Sequence, residues 1–507
     1  MSQPQLIFSM KKLISGWWWL WLAVGIILLL LTRTINLTRL PIFCDEAIYI
    51  RWSQIAWKEA SLRFISLTDG KQPFQTWITI PFLKIFPDPL VAGRLPAALA
   101  GIALPFVLGA LSFLLCPKSK KIPLLVFFLT IFCPYLLLYS RMALAEAWLT
   151  LFAAGAVFFS YLLAKTRRLD VALLAGGWLG LALLVKSQAW FFLLLFPLGI
   201  LFVPIDFSKK NFREARKFLG LFLVVFFIAY LIYNIQRLSP WMYMINQKNE
   251  VFVVSPLKAL KELPIFWQNI KSSSGWFWVY LTGPICLLSL AGLFLWIKKD
   301  WRQGIFLAGW FFLPFLATNL IARVYNSRYL AFLAFLPLLW TAFGLERLGK
   351  KLNSRFLYGV ILLLVFFLPL LRCYQLIFVP EKFPFTKTDR GYLEGWTAGY
   401  GIKEVVAALR DASWEKPVVV GTEGNFGLLS QGLEIYFAFD PKVEVVGLYP
   451  LPEKLPPADW LEKAKEKRVF FVINNTPGDF SNERFILRGE YPKINNTGSL
   501  RLYEVVE

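Results

Sequence analysis

Long apolar runs separated by short polar connections dominate the pattern of this chain. A bilayer core takes roughly 20 apolar residues per helix. About eleven runs approach that length, at 16–35, 91–115, 121–139, 143–164, 170–186, 188–206, 217–236, 275–297, 303–322, 329–346 and 355–373. Charges in the connections test the pattern. Lys11 and Lys12 place the N-terminus inside. The cytoplasmic connections then carry Lys118, Lys120 and Lys121; Lys165, Arg167 and Arg168; Lys209, Lys210, Arg213, Arg216 and Lys217; Lys298, Lys299 and Arg302; and Arg347, Lys350, Lys351 and Arg355. Every short loop on that side is basic, as the positive-inside rule requires. An odd number of spans puts the loop 41–90, the loop 237–274 and everything after 374 on the extracytoplasmic face. A prokaryotic plasma membrane is expected, rather than endoplasmic reticulum.

Two outer stretches have patterns of their own. In 45–57, Ile48, Trp52, Ile55 and Ala56 recur at helical spacing, which predicts a short amphipathic helix lying in the interface plane. A second such helix is expected over 73–86, entered at Pro73 and broken at Pro87. The polar-aromatic "SPWMYMINQKNE" in the loop 237–274 suits a lid. Beyond 374 the apolar runs shorten. A helix at 401–412, strands at 416–424 and 443–449, a helix at 458–467, and strands at 468–475 and 499–506 predict a small α/β domain with a mainly parallel sheet. The expected organisation is a multi-span domain over 1–373 and an outer domain over 374–507. The glycine-rich "GTEGNFG" (421–427) lacks both phosphate-loop spacings and reads as a turn after a strand.

Composition sharpens this reading. The chain is 57% hydrophobic and 17% aromatic, more than a soluble protein can cover. Its formal charge of +22 would suit nucleic acid, but the basic residues sit in the membrane loops, so topology accounts for them and no nucleic-acid partner is expected. Histidine is absent, which excludes His-based acid/base catalysis and His-containing metal sites. The five cysteines form no CxxC. Chemistry must rest on carboxylates, Lys, Arg or Tyr.

Candidate groups gather on the outer face. Asp45 and Glu46 begin the 45–57 helix, where they serve either as N-terminal caps or as a general base with a partner. Glu146 is either a helix-start charge or a functional acid at membrane depth. Lys71, Arg141, Lys186, Arg323 and Arg328 run against the positive-inside bias. Each could snorkel to headgroups, and together they suit a bound phosphate.

An acidic pair after the first span, "GKQPFQTW" (70–77), "DPLVAGRLPAALAG" (88–101) and "SRMALAEAWL" (140–149), in that order, resemble the protein O-mannosyltransferase/aminoarabinose transferase family. "GLALLVKSQAWFFLLLFP" (180–197) and "NSRYLAFLAFLPLLW" (326–340) look like later landmarks of the same family. The resemblance implies a polytopic α-helical GT-C glycosyltransferase with about 11 transmembrane helices and a C-terminal extracytoplasmic α/β domain. It implies transfer, with inversion, of a sugar from a polyprenyl-phosphate donor to a protein, lipid or glycan hydroxyl among the membrane lipids. Asp45 would be the base and Glu46 its neighbour that engages the acceptor. Lys71, Arg141, Lys186 and the Arg328–Tyr329 pair would meet the donor phosphate, and Glu146 and Asp69 would be the further acids. Gly70 precedes Lys71, and Gln72 stands where the family commonly has proline. A divalent metal is optional in this chemistry and would have to use Asp45, Glu46 and Glu146. From another class, a flippase of lipid-linked sugars would call for inverted repeats and broken midplane helices. No repeat is visible, and the ionisable residues gather at one face.

Overall fold

The computed structural model describes residues 17–203, 209–452 and 454–506. Lys11 and Lys12 lie outside the described residues, as do the side chains of Trp17, Lys209 and Lys210. All eleven apolar runs are helical over most of their described length. Five described helices are long and apolar enough to cross a membrane, or up to seven if each of two bent pairs is one span. The five are Pro89–Leu115, Glu146–Thr166, Phe212–Leu238, Trp301–Ile321 and Arg355–Phe378.

Three expected spans are interrupted, two of them at a proline; the third, 329–346, bends by 46° between Ser327–Leu333 and Phe335–Lys351. The run 121–139 divides into Lys121–Ile131 and Pro134–Tyr139, because Pro134 has no N–H to continue the ladder. The run 275–297 is not one continuous helix. Helices Leu263–Tyr280 and Gly283–Lys299 meet there at 107°, with Pro284 in the first turn of the second. Close helix packing relies on small residues. A Cβ on Gly292 would lie 2.0 Å from the Trp340 carbonyl oxygen, so the helices Gly283–Lys299 and Phe335–Lys351 touch backbone to backbone.

Over residues 41–90 the two expected helices form as Cys44–Lys58 and Phe74–Ile85. The Phe43 N–H donates to Glu46 Oε2 at 3.0 Å, which ties off one free donor at the start of the first helix. The expected lid contains an ordered helix, Met244–Phe252.

The C-terminal region carries a five-stranded sheet in the order β2-β1-β3-β5-β4. Its strands are β1 (Val418–Glu423), β2 (Val443–Leu448), β3 (Arg468–Ile473), β4 (Phe485–Pro492) and β5 (Ser499–Val505). β1 runs parallel to β2 and β3, but β5 is antiparallel to both β3 and β4, so the sheet is mixed rather than mainly parallel. The sequence reading passed over β4. "FILRGEYP" lies at an edge, carries charges along its length and shifts register between Leu487 and Gly489.

This region grips the Cys44–Lys58 helix. Phe43 forms an antiparallel bridge with Ala398, the Cys44 N–H donates to the Thr397 carbonyl at 3.0 Å, and the Gly399 N–H donates to Ile42 at 2.8 Å. Further along, Arg51 pairs with Glu434 at 2.6 Å and Gln54 Nε2 donates to the Ile435 carbonyl at 2.7 Å.

Candidate active site

Successive residues on a helix point about 100° apart. Asp45 and Glu46, adjacent in the first turn of Cys44–Lys58, are therefore sent in different directions. Asp45 faces a cavity of about 330 Å³, and Glu46 faces the interior.

At Asp45 both carboxylate oxygens are engaged. Lys71 Nζ lies 3.1 Å from Oδ1, and Arg328 Nη1 lies 2.5 Å from Oδ2. Burial alone would push this carboxyl up, but Lys71 and Arg328 outweigh it and hold Asp45 well below the usual carboxylate range. For Lys71, burial works to release the proton, yet Asp45 beside it holds the ammonium protonated above its ordinary range. Lys71 also reaches Asp69 at 3.4 Å, and Asp69 in turn pairs with Lys248. Across the cavity, Lys186 pairs with Glu146 at 2.6 Å and lies 4.9 Å from the centre of the Tyr329 ring. Asp45, Lys71, Glu146, Lys186, Arg328 and Tyr329 thus line one cavity, with Asp69 immediately behind Lys71.

Arg328 is held from behind. Tyr135 OH donates to the Ser327 carbonyl at 2.5 Å, and Tyr139 OH and Ser327 Oγ are 2.7 Å apart. One end of the cavity is apolar. Trp190, Phe191, Leu194 and Ile321 line it, and Leu194 is 72% exposed at the surface. The other wall is polar, with Gln72 Nε2 donating to Ser187 Oγ at 2.8 Å.

Two expected site residues are placed elsewhere. Glu46 is fully buried against Arg94, whose Nε and Nη2 donate to its oxygens at 2.8 and 2.6 Å. The Phe43 and Ala143 N–H groups donate to it as well, at 3.0 and 2.6 Å. With four donors on two oxygens, Glu46 lies outside the cavity lining, in the position of a structural anchor. Arg141 does not line the cavity. Its guanidinium donates to the carbonyls of Thr32, Ile35 and Asn36 at 2.7–2.8 Å, capping the C-terminal end of the helix Trp17–Thr34. Arg323, the fifth outer cation, is likewise outside the lining. The metal set of Asp45, Glu46 and Glu146 does not converge, because Glu46 is turned away and Glu146 is held by Lys186. Among the described residues no group of three His, Cys, Asp or Glu could hold a metal ion.

The sequence reading did not single out Lys248 or Arg94. Arg94 carried a signal, since a lone arginine inside an apolar helix demands a buried partner. For Lys248 the signal was weaker: a lysine on the outer side, within a segment otherwise read as a lid.

Residues 70–233 match the family described as dolichyl-phosphate-mannose-protein mannosyltransferase. A search of curated proteins gives no match. Among solved structures, ArnT from Cupriavidus metallidurans in the apo state is similar at a TM-score of 0.56 and 13% identity, covering 97% of this chain and 98% of that one. The same protein bound to undecaprenyl phosphate gives a TM-score of 0.57 and 11% identity, with the same coverage. This chain is therefore an integral membrane protein with the GT-C fold of those structures, and over residues 70–233 it carries the pattern of the dolichyl-phosphate-mannose-protein mannosyltransferase family.

Proposed function

We propose that the protein is a membrane glycosyltransferase that moves a sugar from a polyprenyl-phosphate donor to an acceptor hydroxyl on the extracytoplasmic face, with inversion at the anomeric carbon. The observation that carries this reading is a carboxylate set between a lysine and an arginine, in a cavity lined by both polar and apolar side chains. In this assignment the apolar end takes the prenyl chain, Lys71 and Arg328 hold the phosphate, and Asp45 accepts the acceptor's proton. Lys186 and Glu146 lie on the polar wall, where a sugar ring would sit. The match of residues 70–233 to a mannosyltransferase family and the undecaprenyl phosphate bound by ArnT support the donor class. The proposed topology places the N-terminus in the cytoplasm and residues 374–507 outside, as the basic loops suggest.

In a single displacement, stabilising the departing lipid phosphate is the larger part of catalysis, and paired cations supply it without proton transfer to the leaving group. Base catalysis by a positioned carboxylate adds about 10²–10⁴-fold. The test supplies a radiolabelled polyprenyl-phosphate sugar, with membrane extract as acceptor source, to the purified protein and to Asp45→Asn. Transfer should fall by at least a hundredfold in the variant. Undiminished transfer would remove Asp45 as base. Movement of the lipid-linked sugar across liposomes with no glycosidic product would favour a flippase instead.

A further inference from the structure

The cations of the cavity are all occupied. Lys71 is shared by Asp45 and Asp69, Lys248 pairs with Asp69, Arg328 with Asp45, and Lys186 with Glu146. A donor phosphate entering the proposed site meets no free cation and must take one from a carboxylate. Phosphate and carboxylate are both acceptor-only anions and seek the same N–H donors. Asp45, for its part, has both oxygens tied to cations, which leaves it weakly basic.

We infer that Asp45 occupies the place of the donor phosphate, so that arrival of the lipid phosphate displaces its carboxylate from Lys71 and Arg328 and thereby frees the base. The inference rests on the glycosyltransferase reading above.

The charge count fits a single exchange. Along the chain of direct ion pairs, Lys71, Lys248 and Arg328 are joined to two carboxylates, Asp45 and Asp69, leaving one positive charge over. A sugar phosphodiester brings one negative charge and balances it. Asp69 keeps Lys71 in place through the exchange, and Lys248 anchors Asp69 from the helix Met244–Phe252. Once released, Asp45 is relieved of two cations and its basicity rises. The acceptor O–H proton then passes to Asp45 and the acceptor oxygen forms its bond to the anomeric carbon. The bond from that carbon to the phosphate oxygen breaks, and its electron pair leaves on the phosphate. The product phosphate has gained a negative charge in the step in which Asp45 has lost one, so the total charge facing the cations is conserved. The base is switched on by the substrate that needs it.

The test measures binding without chemistry. Isothermal titration of the detergent-purified full chain uses a medium-chain prenyl phosphate and the same prenol lacking phosphate, on wild type, Asp45→Asn and Asp45→Ser. Removing the competing carboxylate should tighten prenyl phosphate about tenfold, from the worth of one charged hydrogen-bond partner, and leave the prenol unchanged. Equal or weaker prenyl phosphate binding by the folded variants would overturn the inference and leave the glycosyltransferase reading intact. If Asp45→Asn does not fold, Asp45→Ser decides. A wild type that binds phosphate and prenol alike would overturn both.

Discussion

The Glu46–Arg94 pair offers a direct test of the difference between sequence position and role. Both side chains are fully buried, and the carboxylate receives two bonds from Arg94 and two from backbone N–H groups. Arg94 also donates to the carbonyls of Leu37, Leu40 and Pro41, so the pair ties residues 37–46 to the helix Pro89–Leu115. Arg94→Met leaves a buried carboxylate uncompensated and should cost about 3–5 kcal/mol. Glu46→Gln keeps the shape and leaves Arg94 its three carbonyls, so about 2 kcal/mol is expected, the worth of one charged hydrogen bond. The double variant Glu46→Gln/Arg94→Met should be less destabilised than the sum, by about 1–3 kcal/mol of coupling. Thermal unfolding of the detergent-solubilised protein, scanned at one fixed rate, reads all four proteins. Additive losses would refute the pairing. A Glu46→Gln protein with unchanged stability and a raised acceptor KM would refute the structural role and restore Glu46 to the acceptor.

Other outcomes follow from the same geometry. Arg141→Met should lower the unfolding temperature through loss of three carbonyl bonds and leave donor KM within about twofold, whereas Lys71→Met should raise donor KM by tenfold or more, by loss of a charged partner. Gly292→Leu should prevent the helices Gly283–Lys299 and Phe335–Lys351 from closing and abolish recovery of folded protein, read by size-exclusion chromatography. Lys493 is buried and bonded to Asn474 and the Gly395 carbonyl, and burial lowers its pKa to about 8, below the ordinary lysine value of 10.5. Between those two values the unfolded chain holds a proton that the folded protein has released. Stability therefore gains from this group as pH rises from 8 toward 10.5, and Lys493→Met should flatten that rise in chemical denaturation curves.

The apolar runs and the basic loops made the helical body legible, because hydropathy and loop charge act locally along the chain. The breaks were less so. The 107° bend near Leu281 came from a Gly–Pro step inside a run whose hydropathy alone looked continuous. At the candidate site, Asp45, Lys71, Lys186, Glu146 and Arg328 were expected from the cost of charge beside apolar spans, and the structure gathers all five around one cavity. Glu46 and Arg141 lie outside that lining for one reason. Sequence marks a charged residue as needing a partner, but not whether that partner is a ligand, another side chain or the end of a helix. For Glu46 it was Arg94, and for Arg141 three carbonyls.

The hold of the C-terminal region on the Cys44–Lys58 helix bears on how such proteins can be recombined. Ile42, Phe43 and Cys44, immediately before Asp45, are paired with residues 397–399, and Arg51 and Gln54 are bonded to Glu434 and Ile435. A chimaera joined near 374 would give the aspartate a seat from one parent and a helix from the other. Grafts that exchange the C-terminal region between two such proteins should carry the 42–54 strip together with the region it rests on. By that measure the heritable unit is discontinuous in sequence, although contiguous in space.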